Sequence, residues 1–245
     1  MHLSPLNVTN DYHKTAQVYS TALEYLGTAE LLYQAIPNLV KDLQPLPGPI
    51  LDFGCGTGCS TRVLKQTGIN TIGVDISIDM LAQARALDPT GDYRFIKPNV
   101  LPFESRSLFL IFSSLVFLEM SSKVELLAAF AEIYRVLHQN GTFIMATASP
   151  EMFNLQYKWL SIDNDFPENI HPFSGKKCKI RLKDIDLELF DYYWTDTDYI
   201  NVAKLAGFSC KQVWRPLVKD LPRKIDVVWL SETTIAPYMF LTFRK

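Results

Sequence analysis

The stretch Leu51-Asp52-Phe53-Gly54-Cys55-Gly56-Thr57-Gly58-Cys59-Ser60 constrains this chain more than any other, because it sets three glycines at alternate positions just after an apolar run. Glycine accepts positive φ without steric cost, so the chain can turn sharply as it leaves a strand and enters a helix. A ligand can then lie against bare backbone at the carboxyl ends of the strands, near the switch point of a doubly wound sheet. A tight turn with no ligand is the plainer alternative, but three glycines in five residues exceed what such a turn needs. The spacing also discriminates among nucleotides. A dinucleotide fold uses G-x-G-x-x-G, and here Cys59 stands in the place of the third glycine. A P-loop needs G-K-[ST], which is missing.

The flanking pattern predicts strands alternating with helices. Thr15 to Val40 has helical spacing, with Gly27-Thr28 a point where it can divide. Three prolines in Pro45-Leu46-Pro47-Gly48-Pro49 stop it and make a connector. Strands are expected at 49–53, 71–75, 93–96, 108–113 and 142–147, and helices at 60–67, 78–87 and 123–137, the last stopping near Asn140-Gly141. Short connections between such elements imply a parallel sheet with helices on both faces. After Ser149-Pro150 the pattern breaks. Residues 151–175 are irregular and aromatic, and 177–182 with 187–194 read as a β-hairpin. Thr195 and Asp198 form a capping box for a helix that Gly207 ends. Phe208 to Val218 and Tyr238 to Arg244 are the last strands, expected to pair antiparallel at one edge. The expected fold class is therefore α/β: a Rossmann-like, seven-stranded doubly wound sheet with an antiparallel last strand. It would form one domain over 1–245: an N-terminal helical cover (1–48), a core (49–148), an inserted hairpin lid (149–195) and a C-terminal return to the core (196–245).

Composition excludes several classes. The net charge of −2 gives no general attraction to nucleic acid or anionic membrane. Cys55, Cys59, Cys178 and Cys210 form no C-x-x-C pair, so neither a disulfide framework nor a structural zinc site is expected, and no metal is expected elsewhere. Met1 to Lys14 lacks the basic and apolar blocks of a signal peptide, and no apolar run approaches the roughly 20 residues of a membrane span. A cytoplasmic setting is expected.

Asp75 ends the second strand, where a carboxylate can accept both hydroxyls of a ribose. Together with the D-x-G-x-G-x-G loop it resembles the class I S-adenosylmethionine-dependent methyltransferases. Val74-Asp75-Ile76-Ser77-Ile78-Asp79-Met80-Leu81 is similar to the family's ribose and adenine motif. Phe95 to Phe103 is similar to the segment that reaches the adenine edge, with Asn99 in place of the usual Asp. Ser107 to Ser114 matches the fourth strand, with Leu110 where Asp is common, and Arg135-Val136-Leu137-His138-Gln139-Asn140-Gly141-Thr142-Phe143 resembles the R-V-L-K-P-G-G-x-F junction.

The resemblance implies S-adenosylmethionine as cofactor and in-line transfer of its methyl group, for which the protein mainly supplies proximity and alignment. It places Gly54, Cys55, Gly56 and Gly58 along the methionyl part with Asp52 near the ammonium. Asp75 would bind ribose, Ile76 and Met80 would flank adenine, Asn99 and Val100 would meet its edge, and Ser113 or Ser114 would offer backbone to the methionyl amine. Tyr19 is a further cofactor or substrate contact. Three catalytic candidates emerge: Glu119, just past the fourth strand, His13 in the N-terminal segment and His171 in the lid. Each has a plainer reading as a solvated side chain. Tyr157, Trp159, Tyr192 and Trp194 are candidates to line an acceptor pocket, or else to glue the hairpin to the sheet.

The expected partner is a small-molecule acceptor, probed at O, N or C, with no nucleic acid and no membrane; oligomeric state is not legible. The N/D-P-P-Y/F motif of nucleic-acid amino-methyltransferases is replaced by Ser113-Ser114-Leu115-Val116. A protein methyltransferase, a non-catalytic cofactor-binding subunit and, more remotely, an NAD-dependent oxidoreductase are the competing readings.

Overall fold

The computed structural model describes residues 29–43, 45–154, 160–183, 187–220 and 234–245. Strands β1 (Ile50–Phe53), β2 (Thr71–Asp75), β3 (Asp92–Phe95), β4 (Leu108–Ser114) and β5 (Leu137–Ala148) are crossed by helices α1 (Ala29–Val40), α2 (Cys59–Gln66), α3 (Ile78–Leu87) and α4 (Lys123–Val136). A second sheet holds β6 (Leu160–Ile162), β7 (Lys177–Leu182) and β8 (Leu187–Tyr192), and α5 (Asp196–Leu205), β9 (Ser209–Trp214) and β10 (Tyr238–Arg244) return to the main sheet.

The main sheet runs β3-β2-β1-β4-β5-β10-β9, parallel except that β10 is antiparallel to both β5 and β9. The order reverses at β1, which lies between β2 and β4, so the glycine loop leaves the sheet at the switch point. Strands buried on both sides must be apolar at every position, and the two residue parities feed two cores. Leu51, Phe53, Ile111, Phe143 and Leu241 pack with Phe130 and Ile133 of α4 and Val202 of α5. Ile50, Leu110, Phe112, Ile144 and Phe240 pack with Leu32 and Ile36 of α1 and Leu64 of α2.

Local chemistry sets the ends. Ser77 and Ser122 accept the backbone N–H groups of Met80 and Glu125, capping α3 and α4. Thr195 and Asp198 make the complete capping box on α5, and Gly207, at φ 105°, ends it. The junction motif has a mechanical role. Arg135 donates to the carbonyls of Leu101 and Phe103, at 3.0 Å each, and pairs with Glu132, whose Oε1 accepts the Leu101 N–H at 2.7 Å. The end of α4 thereby clasps the loop after β3.

Two sequence expectations are corrected. The fifth strand does not start after a break at Asn140-Gly141; it starts at Leu137, directly after α4, and Asn140 takes φ 66° inside it. Asn tolerates this left-handed bend, so the polar pair bends the strand without ending it. The inserted unit is also more than a hairpin, because Leu160–Ile162 adds a third strand to β7. Three residues are too few to show alternation. The division of 1–28 into helical elements lies outside the described residues.

Candidate active site

Asp75 organises the glycine loop. Its Oδ2 accepts the Gly56 N–H and its Oδ1 accepts the Ser77 N–H, both at 2.8 Å. Burial raises its pKa, and the N–H groups of Ser77, Gly56 and Ile76 pull it back. Each oxygen keeps lone-pair capacity for a further donor.

The loop uses several of its own donors internally. The N–H groups of Gly54 and Cys55 both reach the Val74 carbonyl, at 2.8 and 3.0 Å, and that of Gly58 reaches the Cys55 carbonyl at 2.8 Å. With Gly56 bound to Asp75, these four N–H groups are already used within the protein and are not offered to a phosphate.

Gly54, Gly56 and Gly58 all have positive φ, of 71°, 52° and 79°. Their surroundings differ. A Cβ on Gly54 would lie 2.2 Å from Val116 Cγ2, and one on Gly58 would lie 2.6 Å from the Tyr93 hydroxyl. A Cβ on Gly56 would meet nothing within 4 Å. Gly54 and Gly58 face packed side chains, whereas Gly56 presents bare backbone to open space. Cys55 points inward, packed with Leu81, Ala84 and Tyr93, and burial pushes its thiol well up.

Asp52 is fully buried in the middle of β1, directly beneath the turn. Its Oδ2 accepts the hydroxyls of Ser60 and Thr61, at 2.7 and 2.6 Å, while Oδ1 has no partner. Burial raises its pKa to about 6 despite the Thr61 and Ser60 hydrogen bonds, and Asp75 adds to the rise. This carboxylate ties the start of α2 to β1.

Ile76 and Val100 are 39% and 54% exposed, large apolar side chains left open at the ends of β2 and β3. Met80, in the first turn of α3, is buried. Asn99 holds φ 55°, a left-handed position that Asn accepts readily among residues with a side chain. Ser113 is buried with its hydroxyl on the Phe53 carbonyl at 2.8 Å, and Ser114 is half-buried at the end of β4. Leu115 follows at φ 57°, strained for a bulky residue, just where β4 opens into the site.

The 3₁₀ turn Phe117–Glu119 comes next, with Phe117 and Leu118 buried and Glu119 half-buried at its end. Strand β8 of the inserted sheet packs against this turn. Trp194 is buried in the main core and donates Nε1–H to the Met120 carbonyl at 2.9 Å; Tyr192 is half-buried against the same cluster. Asp198 pins the end of the insertion to α4: burial pushes its pKa up, but Lys123, Ser174 and Thr195 outweigh it and hold it at about 2. His171 is exposed. His13, Tyr19, Tyr157 and Trp159 lie outside the described residues.

One residue near this site is not among the sequence candidates. Asp191 of β8 is 6% exposed, lies opposite Cys178 in the ladder, and has its pKa raised to about 7 by burial. The signal was the run Leu187-x-Leu189-x-Asp191, which sets Asp191 on the side of two leucines. Phe190 and Tyr192 make the other side equally apolar, so alternation did not choose the inner one.

Residues 51–145 match the family described as a methyltransferase domain. N-demethylindolmycin N-methyltransferase of Streptomyces griseus is 29% identical over 165 residues, covering 65% of this chain and 69% of that one. Malonyl-[acyl-carrier protein] O-methyltransferase of Yersinia pestis is 32% identical over 172 residues, covering 67% and 62%. Across such curated relatives the matched part spans from 31% to 69% of the relative's length. Among solved structures, an S-adenosylmethionine-dependent methyltransferase from Clostridium acetobutylicum superposes with a TM-score of 0.63 at 16% identity, covering 96% of this chain and 99% of the other. One from Mesorhizobium loti gives 0.59 at 20%, covering 91% and 100%. At these identities the structural likeness speaks to the fold.

Proposed function

We propose, from the premise that this chain belongs to the class I S-adenosylmethionine-dependent methyltransferases, that it methylates an O, N or C nucleophile of a small, aromatic or hydrophobic acceptor. The observation that carries the reading is the open face of Gly56 clasped to Asp75, in a loop where the Gly54, Cys55 and Gly58 N–H groups are used internally. These residues suit an uncharged nucleoside: bare backbone at Gly56, a carboxylate with spare lone pairs at Asp75, and exposed apolar flanks at Ile76 and Val100.

When bound, S-adenosylmethionine supplies an electrophilic methyl group on a sulfonium, a good leaving group. Asp75 holds the ribose hydroxyls. Asn99 meets the adenine edge, with Ile76 and Met80 flanking the ring. The end of β4, at Ser113 and Ser114, receives the methionyl part. Asp52 acts from beneath by fixing the turn. Glu119 is placed to meet the acceptor, because it ends the turn on which the inserted sheet rests. That sheet serves as the lid, with Tyr192 and Trp194 anchoring it and its aromatic residues excluding water; Tyr157, Trp159 and His171 belong to the same insertion, and His13 and Tyr19 to the N-terminal segment. The curated relatives named above act on nitrogen in one case and on oxygen in the other, which leaves the acceptor atom of this chain to experiment.

The test is calorimetric binding of S-adenosylhomocysteine to wild type and Asp75→Ala, followed by methyl-labelled cofactor with acceptor extracts. Micromolar binding lost by more than about tenfold in the variant is expected, since both loop N–H groups and the ribose lose their acceptor. No binding by wild type would sink the reading. Binding without labelled product would favour the non-catalytic subunit, and labelled protein would favour a protein acceptor.

A further inference from the structure

Aspartate is rare inside a strand and rarer on its buried side, because an ionised carboxylate taken from water loses several kcal/mol of hydration unless something replaces it. Buried carboxylates elsewhere in this chain obey that rule. Asp52 accepts two hydroxyls and Asp198 receives Lys123, Ser174 and Thr195. Asp191 differs: among the described residues no hydrogen bond or ion pair reaches its carboxylate, and burial raises its proton affinity.

The ladder shows where it looks. Directly paired residues share a side, so Asp191 stands with Cys178, and Leu189 with Ile180. Cys178 and Ile180 pack into the core cluster that contains Leu118, Ala146 and Ala148, at the carboxyl ends of β4 and β5. Among the described residues, the titratable groups that feel Asp191 are the Cys178 thiol and the Tyr199 phenol, and its charge pushes both upward, while Lys176 acts on the thiol in the opposite sense. Tyr199 in turn shares a 3.4 Å hydrogen bond with Thr147 of β5. No ion pair joins Lys176 or another described cation to Asp191 itself. The carboxylate therefore stands on the side of the inserted sheet whose residues pack with the ends of β4 and β5, with no cation or donor bonded to it among the described residues.

We propose that Asp191 is the acceptor-recognition residue of this chain, holding a basic nitrogen of the acceptor, so that the acceptor is an amine and not a carboxylic acid. This rests on the methyltransferase reading and narrows it. A carboxylate acceptor would bring a second negative charge into the same apolar space, which like-charge repulsion opposes. An ammonium or N–H supplies what the fold withholds. In the ligand-free protein the site then trades stability for recognition, as binding sites commonly do.

The test measures binding by calorimetry on the full chain saturated with S-adenosylhomocysteine at about pH 8. The probes are a series of arylalkyl amines, from benzylamine to tryptamine, and the arylalkanoic acids of matching length. Wild type should bind amines at least about tenfold more tightly than the matched acids, and Asp191→Asn should lose about tenfold or more for the amines, the share of one charge-assisted contact. A second readout is the ¹³C carboxyl resonance of Asp191, which should titrate near neutrality alone and at lower pH once an amine is bound. Amine affinity unchanged in Asp191→Asn, acids binding as well as amines, or no amine binding at all would overturn the proposal. Homocysteine-adduct binding by wild type and Asp191→Asn alike shows that cofactor recognition stands apart; its absence in wild type strikes at the methyltransferase reading instead.

Discussion

Replacing Gly56 with alanine separates the ligand side of the loop from its packed side. The backbone there sits at φ 52°, where an L-residue costs about 1–2 kcal/mol over glycine. A Cβ at this position meets nothing within 4 Å, so no steric cost is added. The variant should thus fold with a loss of about 1–2 kcal/mol, small beside a whole-domain stability of about 5–15 kcal/mol. Gly54→Ala pays the same backbone cost and also drives a methyl to 2.2 Å from Val116 Cγ2, an overpacking that adds about 1–3 kcal/mol. Ligand binding should rank them the other way. The new methyl of Gly56→Ala protrudes into the space assigned to the nucleoside, and displacing it from bare backbone should weaken S-adenosylhomocysteine by about tenfold or more, at least 1.4 kcal/mol. Urea denaturation gives the first quantity and titration calorimetry the second. If Gly56→Ala binds within twofold of wild type, the open face is not the ligand face. If it is destabilised as much as Gly54→Ala, the space beside it is not open.

Two further outcomes follow from the packing. Asp52 and Asp191 keep their protons to about 6 and about 7, whereas an unfolded chain releases them near 3.8. Between those values the native state binds more protons, so stability falls as pH rises from about 4 to 7; for Asp191 the ceiling is about 4 kcal/mol. Asp191→Leu should therefore gain on wild type from pH 5 to pH 8 in paired urea melts, and a constant difference between them would contradict the burial argument. Asp198 has the opposite sign: held at about 2, it stabilises the fold above about pH 4 and loses that contribution only in stronger acid. Arg135→Ala should cost about 1–2 kcal/mol, a figure discounted for the partial exposure of the guanidinium, because the Leu101 and Phe103 carbonyls lose their donor. It should also weaken S-adenosylhomocysteine, since the loop it clasps carries Asn99 and Val100; unchanged affinity would show the clasp to be purely structural.

What the sequence by itself determined is the part ruled by local chemistry. Positive φ at Gly54 and Gly58 and the capping box at Thr195 and Asp198 are properties of residue type at fixed spacing, so the strand-to-helix turn and the start of α5 were legible without coordinates. So was Asp75 at a strand end, because β-period and helix-period segments meet there. Tertiary structure decided everything that depends on which groups meet across the chain. Only the packing of Val116 and Tyr93 tells the covered sides of Gly54 and Gly58 from the open side of Gly56. Only the register of β7 on β8, and the seating of that sheet on the Phe117–Glu119 turn, chooses which apolar side of Leu187–Tyr192 is buried. That choice buries Asp191 with no partner among the described residues. Period-2 alternation reports that two sides exist; burial, and with it the charge a carboxylate demands of its ligand, is set by what packs against one of them.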